Sequence, residues 1–165
     1  MRYADGPTVE VDTFVEAAPA TVWKLVSDID VPARFSSEFQ GAEWLDGATG
    51  PALGARFRGR NQHEAVGEWE TTSTIVEYEP DRSFAWAVMD PANPSATWRY
   101  ELEPEGDGTR LRFRARMGPG PSGLTAVIEQ MPDKEARIIE NRLRHHAGNM
   151  RATLEGIKAL AEDRA

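Results

Sequence analysis

Residues 133–162 carry the most restrictive pattern in the chain. Ile139, Leu143, His146, Met150, Leu154 and Ile157 recur at three- and four-residue steps, which places them on one face of a helix. At 1.5 Å per residue such a helix runs roughly 45 Å. An apolar stripe of that length needs a broad, curved surface to cover it, and the preceding residues read as a sheet of that kind. From residue 8, Val9, Val11, Thr13 and Val15 alternate with Glu10, Asp12, Phe14 and Glu16. Period two with β-branched residues is the mark of a strand exposed on one face.

Six more runs follow, at 43–45, 55–61, 68–78, 83–89, 96–103 and 109–117. They are separated by Asp46-Gly47, Glu79-Pro80-Asp81, Asp90-Pro91 and the hairpin signal Glu105-Gly106-Asp107-Gly108. Seven strands with short connections predict a meandering antiparallel sheet and not βαβ units. Pro19, placed ahead of Val22, Trp23, Leu25 and Val26, predicts a short helix. A second is expected over 31–35 with Asp28 or Asp30 as its cap, and a third over 124–131. The expected fold is α+β: one domain over 1–165, a curved sheet wrapped around a long C-terminal helix. Side chains alone do not fill the interior of such a sheet, so a cavity is expected between sheet and helix.

Composition narrows the class of function. Hydrophobic residues make up 40% and charged residues 28%, ordinary for a globular chain. No apolar run approaches 18 residues, and residues 1–7 hold no apolar stretch of the kind a secretory signal needs. There is no cysteine, which removes disulfides, thiol catalysis and thiolate metal sites. A cytoplasmic protein without a membrane span is the expectation. Nineteen Lys and Arg stand against 27 Asp and Glu, a net charge of −8 that repels phosphate backbones and argues against a nucleic-acid partner.

The strand faces say where that charge lies. In 109–117, Leu111, Phe113, Ala115 and Met117 share one face, and Arg110, Arg112, Arg114 and Arg116 share the other. A turn centred on Gly106-Asp107 sets Glu103 opposite Arg110 and Glu101 opposite Arg112, pairs worth a few tenths of a kcal/mol each. The opposite face is aromatic: Phe84, Trp86, Trp98, Tyr100 and Phe113 point the same way. Any one of these rings is explained by core packing. Together they point to shaped space; Gly148 and Gly156 within the long helix, each costing about 1 kcal/mol relative to alanine, fit either room for a ligand or close packing of the helix on the sheet.

No catalytic motif announces itself. His145 and His146 point about 100° apart on a helix and cannot chelate one ion together, so no metal site is expected. His146 shares the apolar stripe and faces inward, either as a satisfied core histidine or as a proton shuttle or ligand contact. His63 falls at a strand tip, where solvent exposure is the plain reading. Gly118-Pro119-Gly120 lacks the lysine of a phosphate loop, and no serine sits in a Gly-x-Ser-x-Gly elbow.

Several local phrases, in order, carry a family resemblance. They are Pro19-Ala20-Thr21-Val22-Trp23-Lys24-Leu25-Val26-Ser27-Asp28, then Pro32 and Phe35, Glu43-Trp44-Leu45-Asp46-Gly47 and Gly54-Ala55-Arg56-Phe57. Ile75-Val76-Glu77-Tyr78-Glu79-Pro80 and Phe84-Ala85-Trp86 continue the series. Over residues 8–163 the chain resembles the START-related helix-grip superfamily, and within it the polyketide cyclase/dehydrase family. The resemblance implies a hydrophobic cavity under the C-terminal helix that takes a lipid-like or polyketide-like small molecule, with no cofactor. Binding alone is the first expectation, and a homodimer is left open. The other is a cofactor-free cyclase or dehydratase using acid–base chemistry in that cavity. The ligand-contacting residues expected are Phe35, Trp69, Trp86, Trp98, Tyr100, Phe113, Leu143, His146 and Met150. For catalysis the candidates are His146, Tyr100 and Glu70.

Overall fold

The alternating segments form the expected ladder. The computed structural model describes residues 1–163. Its strands are β1 (Thr8–Val15), β2 (Phe39–Trp44), β3 (Arg56–His63), β4 (Gly67–Glu79), β5 (Ser83–Val88), β6 (Ala96–Glu105) and β7 (Gly108–Met117). Its helices are α1 (Pro19–Val26), α2 (Gly123–Gln130) and α3 (Glu135–Glu162), with 3-10 turns at Tyr3–Asp5, Val31–Arg34 and Pro132–Lys134. The sheet order is β1-β7-β6-β5-β4-β3-β2 with every pair antiparallel. Strands β2 to β7 therefore meander, and β1 adds at the far edge beside β7.

Two register shifts, between Phe39 and Gly41 in β2 and between Ile75 and Glu77 in β4, mark bulges. Bulges bend a strand and increase its twist, so the sheet curves around α3. The Gly106-Asp107 turn sets the expected register, Glu101 opposite Arg112 and Glu103 opposite Arg110. Gly106 takes φ +57°, a conformation costly for a residue with a Cβ. The ion pairs slip diagonally from that register. Arg112 reaches Glu103 at 2.8 Å and Glu101 at 3.4 Å, while Arg110 turns to Glu105 at 2.9 Å. Arg114 pairs with Glu10 on β1 at 3.2 Å. These pairs are solvent-facing, so each contributes at most about 1 kcal/mol.

The α3 stripe is buried as its period requires: Ile139, Met150, Leu154 and Ile157 lie in the core with Val15, Val22 and Leu111. Full burial of each such side chain stabilises the fold by about 1.5–3 kcal/mol. The far end of α3 is tied to β1 by polar contacts. Lys158 Nζ donates to the Phe14 carbonyl at 2.7 Å, and Glu162 accepts from the Glu16 backbone N–H at 2.8 Å.

One local expectation needs correction. The short helix expected after α1 is present as the 3-10 helix Val31–Arg34, but neither aspartate side chain caps it. Asp28 instead accepts from the Asp30 N–H at 2.9 Å, and Asp30 accepts from the Ala42 N–H at 3.2 Å, which docks the turn onto β2. The helix glycines have different surroundings. A Cβ on Gly156 would lie 2.4 Å from three Phe35 ring atoms, so close packing accounts for this glycine; Gly148 faces open space and packing does not explain it.

Candidate functional site

Between the concave face of the sheet, the 31–39 segment and α3 lies a cavity of about 120 Å³. Strand alternation builds its floor. Inward positions of β5, β6 and β7 bring Phe84, Trp86, Trp98, Tyr100 and Phe113 together. Trp86 and Trp98 stack with centroids 6.3 Å apart and 12° between planes, and Tyr100 stacks on Phe113 at 4.1 Å and 9°. Inward positions of β3 and β4 add Asn61, Thr71 and Ser73, a more polar wall. The helical stripe supplies the roof through His146, Asn149, Met150 and Thr153. The His146 ring meets Trp98 edge-on at 5.0 Å.

Polar groups gather where the 36–39 segment crosses α3. Glu38 is only 12% exposed, and Arg142 donates to both of its carboxylate oxygens, at 2.7 and 2.8 Å. Such a fork is geometrically specific as well as charged. His145 Nε2 lies 3.2 Å from Glu38 Oε1 and 3.3 Å from Asn149 Nδ2. Asn149 Oδ1 accepts from both the N–H and the hydroxyl of Ser37 at 3.0 Å. The segment is thus clamped onto the helix and forms the lip of the cavity. His63, expected at an exposed tip, folds over this lip and meets the His145 ring at 5.1 Å.

Three groups at the cavity have their pKa values moved away from neutral pH. Burial pushes the Glu38 carboxyl up, but hydrogen bonds and charge from Arg142 outweigh it and hold the group below the usual carboxylate range. Burial, reinforced by the positive Arg142, lowers His146 to about 3, so its imidazole is neutral. Burial alone raises the Tyr100 phenol, which keeps its proton. The Tyr100 side chain is 1% exposed, and its hydroxyl has no hydrogen-bond partner among the described residues.

Of the nine expected contact residues, Trp86, Trp98, Tyr100, Phe113, His146 and Met150 line the cavity. Phe35 packs on Gly156, and Leu143 packs beside Tyr3, Met117 and Ile139. Trp69 shares the face of Thr71 and Ser73 but sits further along β4 than the cavity extends. Glu70, a catalytic candidate from sequence, has the opposite parity. It is exposed, across from Arg60, and is not brought to His146 or Tyr100. Glu38, Asn61, Thr71, Ser73 and Asn149 were not anticipated. Asn149 could have been, since it lies three residues after His146 on the same helical face. Glu38 follows a turn in an irregular segment where no period operates. Among the described residues no group of three or more His, Cys, Asp or Glu could hold a metal ion, and no helix is long and apolar enough to cross a membrane.

Comparison with known proteins agrees with this architecture. The chain is 31% identical to the polyketide cyclase-like protein Cgl2372 from Corynebacterium glutamicum, whose solved structure covers 95% of this chain and 92% of its own, with a TM-score of 0.67. It is 18% identical to the di-domain ARO/CYC protein StfQ from the steffimycin biosynthetic pathway, over 95% of this chain and 51% of that one, at a TM-score of 0.72. Protein Ms6760 from Mycobacterium smegmatis is 16% identical over 100% of this chain and 97% of that one, at 0.62. The last two likenesses establish the fold alone. No curated protein matches in sequence. The match of residues 7–162 to the family pattern described as polyketide cyclase / dehydrase and lipid transport, together with the helix-grip sheet and its long helix, shows that the chain belongs to that family.

Proposed function

We propose that this protein binds a largely apolar small molecule in the cavity between the sheet and α3, as a binding or carrier module. The aromatic floor is the observation that carries the reading. Five rings from three adjacent strands surround space that none of them fills. The polar lip orients what enters without filling the interior. Ligand sites of this kind are mostly apolar, with a few placed polar groups. The family's description, polyketide cyclase / dehydrase and lipid transport, supports a hydrophobic ligand class.

The second reading, cofactor-free acid–base turnover, is favoured by His146 and Tyr100 lining the same cavity. Proton affinities weigh against it. An efficient general base or acid has a pKa near the working pH. His146 at about 3 is too weak a base, and burial makes Tyr100 too weak an acid. Binding is therefore the better account.

The test is purification without detergent, mass spectrometry of the organic extract, and titration with an uncharged environment-sensitive naphthalene dye. A co-purified apolar molecule, or saturable dye binding that Ser73→Leu abolishes, supports the reading. A protein that yields no extractable molecule and binds no dye refutes it. Turnover of an enolisable substrate that is lost in His146→Ala while affinity is kept would replace binding with catalysis.

A further inference from the structure

The polar wall of the cavity carries an inference that rests on the binding reading above and sharpens it. Thr71 and Ser73 share the inward face of β4, and both line the cavity. Among the described residues neither hydroxyl hydrogen-bonds to another group of the protein, yet both remain open. Of the buried and half-buried side chains described, only the Tyr100 hydroxyl is both unpartnered and closed to a water-sized molecule. Ser73 is 2% exposed, so what its oxygen meets is the cavity and not bulk solvent. Thr71 stands opposite Gly59 on β3, where a Cβ would lie 3.4 Å from the threonine oxygen; the glycine leaves that oxygen uncovered. Valine and alanine would shape the same wall with no polar atom to satisfy, and an unsatisfied hydroxyl in an apolar interior is costly. Two such hydroxyls on one wall call for a partner that the protein does not supply.

We propose that Thr71 and Ser73 select the ligand by hydrogen-bonding to it, and that the ligand is an uncharged one-ring compound carrying a hydroxyl group. The cavity of about 120 Å³ is close to the roughly 150 Å³ that encloses one benzene ring in an apolar protein interior, so one ring fits. Ser73 pairs with Val88 and lies diagonally across the ladder from Trp86, so a ring seated against that indole presents its substituent to the polar wall. A ligand hydroxyl both donates and accepts, as each side chain does, whereas a carbonyl only accepts. Charge is disfavoured in either sign. Arg142 is already forked onto Glu38, which leaves a buried anion without a countercharge, and the burial that keeps His146 neutral acts equally against a cation.

The experiment compares phenol with toluene, which replaces the hydroxyl by a methyl group of similar size. Both are titrated at neutral pH into the wild-type protein and into the double variant Thr71→Val/Ser73→Ala, with binding followed by calorimetry or ligand-observed NMR. Taking the ratio cancels the different cost of removing each probe from water. The ratio of dissociation constants, phenol over toluene, is expected to rise about five- to tenfold in the variant, the worth of one neutral hydrogen bond. The ligand-free variant is expected to melt at the wild-type temperature or higher, because it loses only hydroxyls without protein partners. Thr71→Val alone, which keeps the side-chain shape, carries the same comparison if the double variant does not fold.

An unchanged ratio overturns the proposal and assigns the two hydroxyls to bound water only. A ligand-free variant that folds but melts several degrees lower also overturns it, because the hydroxyls are then satisfied within the protein. Dye binding without phenol binding overturns this inference and leaves the cavity reading standing. Failure of the dye and both small probes overturns the cavity reading, and this inference with it.

Discussion

Two glycines in α3 allow one substitution to be tested in two surroundings. Gly148→Ala and Gly156→Ala each replace a helix-interior glycine, a change worth about 1 kcal/mol in favour of the helix. At Gly148 nothing lies within 4 Å of the added carbon, so the gain is kept. At Gly156 the carbon would sit 2.4 Å from Cδ1, Cε1 and Cζ of Phe35, well inside van der Waals contact. The ring must move, and it belongs to a packed cluster at the end of the Val31–Arg34 turn. Overpacking of this kind costs about 1–3 kcal/mol, which leaves Gly156→Ala neutral to about 2 kcal/mol destabilised. For a chain of this size 1 kcal/mol moves the melting temperature by about 2–4 °C. Thermal melting by circular dichroism should therefore place Gly148→Ala a few degrees above wild type, and Gly156→Ala at or below it. Because Phe35 adjoins the lip residue Ser36, Gly156→Ala should also alter dye binding, and Gly148→Ala should not. Adding Phe35→Ala should release the helix gain at 156, so the two changes will not add. Equal stabilisation by both glycine substitutions would refute the assigned contact.

Three further outcomes follow from the cavity. The folded protein keeps His146 neutral down to about pH 3, whereas the unfolded chain takes up a proton near 6.5. The group's folded pKa is depressed, so stability is complete above pH 6.5 and falls by up to about 1.4 kcal/mol per unit as pH drops toward 3. His146→Gln should flatten that slope in urea midpoints taken across the range, and an unaltered slope would refute the burial argument. Glu38 also has a depressed pKa, so its contribution is present above the ordinary carboxylate range and disappears as pH falls through its lowered value. Glu38→Gln should cost about 1–3 kcal/mol at neutral pH by leaving Arg142 without its carboxylate, and should lose that acid limb; full stability in urea would show that the fork contributes nothing. Ser73→Leu extends a larger side chain from β4 into the cavity, so dye affinity should fall about tenfold or more, and unchanged affinity would place the ligand elsewhere.

The amino-acid sequence by itself determines the sheet, the long helix and the aromatic floor. Periods of two and of three to four residues are local, and the pleat turns period directly into facing. The parity that sets Arg110 to Arg116 outward is the same parity that sets Phe113 inward, and the Gly106-Asp107 turn then aligns β6 with β7. On β4 the structure follows the same parity, turning Glu70, a candidate from sequence, outward and Thr71 and Ser73 inward. Only the tertiary structure decides the lip. Glu38 and Arg142 are 104 residues apart in the chain, and no spacing encodes their fork. His63 reaches His145, and Phe35 reaches Gly156, only because the sheet curves around the helix. Nor does any pattern reveal that the Tyr100 hydroxyl lacks a partner. Whether a polar atom is satisfied depends on every group packed around it, and only the completed fold brings those groups together.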